Sequence, residues 1–382
     1  MTADISASTL RVRPPLYQPD SAVFWLFVTL LTASTIELVV HDGPSIAETI
    51  NAEAALSGLW LAFTAFLVWL LLRFDPFRSV RAYPQVLAAG CALGGTVAIG
   101  MAREGNATLS TMWSRVLPPD IASAWDAALC APFVEETAKA FCAAVILVLA
   151  SSVFNRISHA LLLGMFVGLG FGIIEDLEYN VDEAISSLDS DIAGALISLA
   201  LRALTAVPAH WAYTALATVG VLLLLPTFAQ RQTWSVGRRI ITAVALISAA
   251  MFMHFFWDSP LLGGLGLVSM VVKMGVNLAI FLAAVFLLLR SERAWIRSTI
   301  RTRTDVSYPR ELVNSLPTLR QRRAYRRAQR KEHGRAAGRA ARRDQKAALD
   351  ALQRPPAPQP HATNGTATSQ NGSDTAPLAN RQ

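Results

Sequence analysis

Glu135, Glu136 and Lys139 lie in a run that is otherwise apolar enough to cross a membrane. Ionisable side chains are costly there, so they must face one another, partners on other segments, or a water-filled cavity. Glu135 and Lys139 are spaced i,i+4 with the carboxylate first, the better order for a helical ion pair. Glu136 is turned ~100° away around the helix. One carboxylate can be held ionised by the ammonium while its neighbour takes a proton. Because Glu136 and Lys139 are themselves i,i+3, the sequence leaves open which does which. The partners stand further along: Glu175, with Asp176 beside it, closes a second apolar run, His210 opens another just after Pro208, and His254 and Asp258 share a helix face at i,i+4.

Singly, each has a bland reading: Glu175 can cap a span at the interface, and a lone intramembrane histidine is more often a satisfied core group. As a set they point to hydrolysis. Glutamates and neutral imidazoles can position a water and remove its proton, and an imidazolium or a bound metal can stabilise the oxyanion. Glu175, His210 and His254 could also be ligands to Zn²⁺, with a glutamate of the pair as base. No sequential His-Glu-x-x-His is present, so the metal stays open. A Gly-x-Ser-x-Gly elbow, a P-loop and a Gly-x-Gly-x-x-Gly loop are all missing, and no nucleotide or organic cofactor is expected. Cys91, Cys130 and Cys142 sit in or beside apolar runs without paired spacing and read as small buried hydrophobes.

The elements that must position these groups are spanning helices. Of 382 residues, 53% are hydrophobic and 16% charged, against about 25% charged in globular chains. Apolar runs at 22–40, 56–73, 83–101, 130–151, 158–175, 193–225, 238–257 and 263–289 predict an all-α polytopic bundle of about eight spans. The sixth is too long for one crossing and contains Arg202 and Pro208, so a break near Pro208 is expected. Residues 1–20 form a polar leading segment, and the first run is too long for a cleaved signal peptide. Gly164, Gly168 and Gly172 form a small-residue stripe suited to close helix packing.

Orientation follows from the loops. Arg11 and Arg13, Arg73 to Arg81, Arg156, and Arg231 to Arg239 fall on alternate loops, which places both termini in the cytoplasm. The opposite loops are acidic or neutral, with Arg103 and Arg115 as mild exceptions. In that topology Glu135, Glu136 and His210 begin their spans while Glu175 and His254 end theirs. All five therefore fall at one depth, toward the outer face.

Charge is segregated: residues 1–289 hold 14 Lys and Arg against 20 Asp and Glu, a net −6, while residues 290–382 hold 20 against 7, a net +13. The stretch 291–353 reads as a basic cytoplasmic tail, partly helical, and 354–382, rich in Pro, Thr, Asn and Gly, as disordered. Such a juxtamembrane cluster suits anionic lipid headgroups; no nucleic-acid partner is expected, and a merely solvated, topogenic tail is the bland alternative.

Pro132-Phe133-Val134-Glu135-Glu136-x-x-Lys139, Phe171-x-x-x-Glu175-Asp176, His210 and His254-x-x-x-Asp258 resemble, in order and spacing, the motifs of the PrsW family of intramembrane proteases. That family is distantly related to the CAAX prenyl endopeptidase and Abi superfamily. The resemblance covers roughly residues 55–290. It implies a multi-span peptidase of a bacterial cytoplasmic membrane with Glu135, Glu136, Glu175, His210 and His254 in the active site; Lys139, Asp176 and Asp258 beside them are read as supporting residues. It also implies a membrane-protein substrate, in the best-known role an anti-sigma factor cut on its extracytoplasmic side. Members are described both as metalloproteases and as glutamate-activated water enzymes. Asp176 stands where Asn is expected in many relatives. The expected function is thus an intramembrane endopeptidase. An ion- or proton-coupled transporter, which would also use intramembrane Glu and His, and a silent scaffold with a lipid-binding tail are the rivals.

Overall fold

Backbone polar groups in a bilayer can be satisfied only within a helix or a closed barrel, and this chain takes the first solution. The computed structural model describes residues 15–303 and 308–354, and among them there is no strand. Most of the 1–20 segment and nearly all of the 354–382 segment read as disordered lie outside the described residues.

Helices α1 (Ala22–Glu48) and α2 (Ile50–Leu71) follow each other almost without a loop. Next, α3 (Pro84–Leu93) and α4 (Ile99–Val116) are joined through a π-turn at Gly94–Ala98. The long α5 (Pro119–Leu149) begins on a proline and carries Pro132 inside it, which removes one rung of its ladder just before Glu135. The core post is α6 (Ile157–Ser186), buried at every residue from Ile157 to Phe171. The sixth apolar run divides into α7 (Asp191–Thr205) and α8 (His210–Leu224), bent by 47° about the Pro208 segment. Two further long helices are α9 (Val236–Asp258) and α10 (Leu267–Thr302).

Six of these elements are long and apolar enough to cross a membrane, seven if the bent pair counts as one span. The helix α5, although 31 residues long, is not among them because it carries the Glu135, Glu136 and Lys139 charges.

Two glycines of the stripe let α8 close on α6. A methyl group at Gly168 would fall 2.5 Å from the carbonyl oxygen of His210, and one at Gly164 2.6 Å from that of Thr214. The chain at His210 can reach α6 only because no Cβ intervenes. Arg103, an exception to the loop-charge pattern, is held by Glu37, Asp42 and Glu178 at 2.6, 2.9 and 2.8 Å, so it carries no free positive charge.

The basic tail folds instead of trailing away. After the short α11 (Arg310–Asn314), α12 (Leu319–Gln353) turns back on itself at Gly334, whose φ of +83° few other residues adopt. Its second arm places Ala348, Leu349 and Leu352 against Phe77, Ile296 and Leu316. Arg78 pairs with Asp350 through two bonds of 2.6 and 3.0 Å, and Gln353 donates to the Phe77 carbonyl at 2.9 Å. An apolar stripe hidden in a strongly basic composition is what docks it.

Candidate active site

The segments α5, α6, α8 and α9 each bring part of one buried cluster. Glu136 and Lys139 are fully enclosed, and Glu135, His210 and His254 are nearly so. Lys139 Nζ lies 2.7 Å from Glu136 Oε1 and 3.3 Å from Glu135 Oε2, so the ammonium serves both carboxylates. It also rests 4.0 Å above the Phe171 ring. Removing one partner from such a buried set costs ~3–5 kcal/mol, because a charge is left uncompensated.

Each histidine is held from behind by a carboxylate. His210 Nε2 lies 2.8 Å from Glu175 Oε2, and His254 Nδ1 lies 3.1 Å from Glu136 Oε1. An ionised carboxylate only accepts, so each imidazole donates through that nitrogen and, when neutral, presents the other as a lone pair. Those lone pairs converge. His210 Nδ1 and His254 Nε2 lie 3.8 and 3.7 Å from Glu135 Oε2, and the three donor atoms all fall within 4.8 Å of one another. Tyr213 stacks on His254 with ring centroids 5.2 Å apart, and Thr214 donates to Glu136 Oε2 at 3.1 Å.

Asp258 Oδ2, buried, approaches His254 Nε2 to 3.2 Å, an ion pair when the ring is protonated and an acceptor without a donor when it is neutral. A buried acceptor left open beside two lone pairs and a carboxylate is the signature of a place for a cation or a polarised water. Charge agrees: five carboxylates (Glu135, Glu136, Glu175, Asp176, Asp258) face two fixed cations, Lys139 and Arg202. The donor set of one carboxylate and two imidazoles matches that of hydrolytic zinc sites, and its 3.7–3.8 Å edges are close to the ~3.4 Å implied by ~2.1 Å bonds to a tetrahedral ion. Lys139 Nζ lies 3.0 Å from His210 Nδ1 and would have to turn toward Glu136 for a cation to share that lone pair.

A family model described as PrsW family intramembrane metalloprotease matches residues 83–289, more than half of the chain. The chain belongs to that family. It is therefore a multi-pass intramembrane protease whose substrate is a membrane protein. No curated protein and no solved structure matches it.

In this PrsW-family chain all eight residues singled out from the sequence reach the cluster or its immediate support. Their grouping differs from expectation in one respect. The metal-ligand set read from sequence was Glu175, His210 and His254, whereas Glu135 joins the two histidines. The reason is Arg202, which draws Glu175 and Asp176 to itself through short ion pairs and leaves Glu175 behind His210. Arg202 was legible in principle as a lone cation in an apolar run. Asn106, which donates to Glu135 Oε1 at 3.1 Å, and Thr214 gave no signal. An apolar cleft lined by Trp60, Phe63, Gly172, Trp211 and Trp257 opens between α2 and the α7–α8 break and ends on His210.

Proposed function

We propose that this protease cleaves its membrane-protein substrate at the Glu135–His210–His254 cluster, near the extracytoplasmic face. The observation that carries the reading is the convergence of Glu135 Oε2 with two imidazole lone pairs, each imidazole fixed by its own carboxylate. In this reading Glu135 faces the reacting water, Glu136 orients His254, and Glu175, held by Arg202, orients His210. Lys139 Nζ sits between the two glutamates of the pair, 3.3 Å from Glu135 Oε2 and 2.7 Å from Glu136 Oε1. Glu135, His210 and His254 would hold a zinc ion, with Asp258 at its edge; bound there, the metal would acidify water and polarise the scissile carbonyl. The apolar cleft beside His210, about 50 Å³ as it stands, would have to widen to admit a substrate segment from the side.

Depth supports the outer-face reading. Glu175 lies ~27 Å along α6 from Ile157 and His254 ~27 Å along α9 from Val236, while Glu135 and His210 are each ~21 Å from the far ends of their helices, at 1.5 Å per residue. Those reference ends share the face that carries the arginine-rich tail, which the loop-charge bias assigns to the cytoplasm. Counting α5 and the bent pair gives eight spans and cytoplasmic termini. An anti-sigma factor fits this geometry as substrate, and the tail fits anionic headgroups.

The test combines metal analysis with a peptidase assay on purified protein in bilayers. Wild type is expected to retain about one zinc per chain, as a single three-donor site requires. Glu135→Gln should abolish cleavage and lower metal content. Glu136→Gln should reduce cleavage by at least ~10², with both variants inserting normally. Full activity in both would falsify the proposal.

A further inference from the structure

Arg322, at the start of α12, is 7% exposed and donates from Nη1 to the Pro76 carbonyl at 2.6 Å, but its Nε and Nη2 are buried with no hydrogen-bond partner. Among the described residues no carboxylate pairs with it. Burial of a guanidinium without a directly paired anion is costly, so this arrangement calls for one.

The surroundings are also short of negative charge. Arg322 lines a cleft of about 500 Å³ between the end of α2, the 72–83 loop and the two arms of α12. Arg73, Arg81, Arg326, Arg342 and Lys346 face the same space, and the carboxylate lining it is Asp75, whose oxygens accept from Ser79 N, Ser79 Oγ and Val80 N. Arg78 is already matched by Asp350. Burial and the nearby Arg326 push Arg322 down to about 10 against the opposing charge of Asp75, and burial with Arg342 and Arg323 lowers Arg326. At one rim stand Trp69, in the last turn of the apolar α2, and Leu72 just beyond it, with the Arg73 guanidinium 4.3 Å over the Trp69 ring, a composition suited to the membrane interface.

We propose that this cleft is a phosphate-binding site, taking the phosphate of an anionic lipid headgroup or of a free polyphosphate. A single carboxylate would leave most of these cations unmatched. A phosphate offers several acceptor oxygens to the planar donor forks of Arg322, Arg326 and Arg342, and Trp69 and Leu72 would meet the chain of a lipid. The site uses none of the residues of the glutamate cluster, so it stands or falls apart from the proteolytic reading.

Thermal melting of the full chain in neutral detergent at constant ionic strength tests it, with short-chain phosphatidylglycerol, short-chain phosphatidylcholine or sodium pyrophosphate added. Wild type should be stabilised in a saturable manner by phosphatidylglycerol or pyrophosphate but not by phosphatidylcholine. Response to phosphatidylglycerol alone assigns the site to lipid, response to pyrophosphate alone to a free polyphosphate, and response to both to the phosphate group itself. Arg326→Gln with Arg342→Gln should raise the half-saturating concentration about tenfold or more. Arg320→Gln with Arg343→Gln, which removes equal charge from the same hairpin outside the cleft, should leave it within about twofold. If the first pair fails to fold, Lys346→Gln makes the same comparison with about a threefold shift expected. No stabilisation of wild type by either phosphate compound, equal stabilisation by phosphatidylcholine, or equal losses in cleft and control variants overturns the site.

Discussion

Arg202 is the residue whose role the geometry changes most. It holds Glu175 and Asp176 together, and Glu175 in turn fixes the His210 ring through Nε2. Its influence on the proposed site is therefore indirect, through the direction in which His210 Nδ1 points. Arg202→Gln is expected to lower turnover by about ten- to a hundredfold, the usual cost of losing an outer support of a ligand. Arg202→Lys should recover only part, because an ammonium cannot fork between two carboxylates. Steady-state cleavage rates with a matched set of both variants check this; unchanged turnover in Arg202→Gln would reduce the residue to a stabilising ion pair. The sequence displayed Arg202 as an oddity in an apolar run but gave no hint of its partners, which lie 26 and 27 positions earlier.

At the scale of elements, the packing of α8 on α6 decides where His210 lies. Gly164, Gly168 and Gly172 look equivalent in sequence, but their surroundings differ. A Cβ at Gly168 meets the His210 backbone at 2.5 Å, whereas one at Gly172 has only His210 Cδ2 within reach, at 3.8 Å. Gly168→Ala should therefore destabilise the fold by about 1–3 kcal/mol, as overpacking does, and pull His210 out of register with loss of cleavage. Gly172→Ala should melt within a degree or two of wild type, given the few degrees that ~1 kcal/mol represents. Differential scanning measurements on the two variants separate these outcomes, and equal melting temperatures would contradict the packing account. Period and spacing revealed the stripe; which glycine touches backbone depends on the rotation of two helices, information that no single helix carries.

For the molecule as a whole, the two ends of the bundle have opposite character. One gathers the carboxylates of the cluster and the Arg103 group, the other the arginines of the loops and of α12. Reporters fused to either terminus should read cytoplasmic, and one inserted between α6 and α7 should read extracytoplasmic; a periplasmic signal from either terminus would reverse the proposed side of cleavage. The tail is bound to the first of its loops through Phe77 and Arg78, so its charge acts from a fixed position.

By itself the sequence determined the class of molecule, the residues that could do chemistry and their common depth. Ionisable groups in apolar runs are rare enough to be conspicuous, and helical rise converts position into height. Only the tertiary structure decided how those groups divide their work. Glu135 rather than Glu175 joins the two histidines because Arg202, on a different helix, claims Glu175, and Glu136 stands behind His254 because α5 meets α9 at that rotation. Likewise, composition showed that the tail is basic, but the docking of its apolar stripe decided that Arg322 would be buried with no carboxylate in hydrogen-bond contact. Azimuth and partner choice arise between helices, where one-dimensional periodicity has nothing to report.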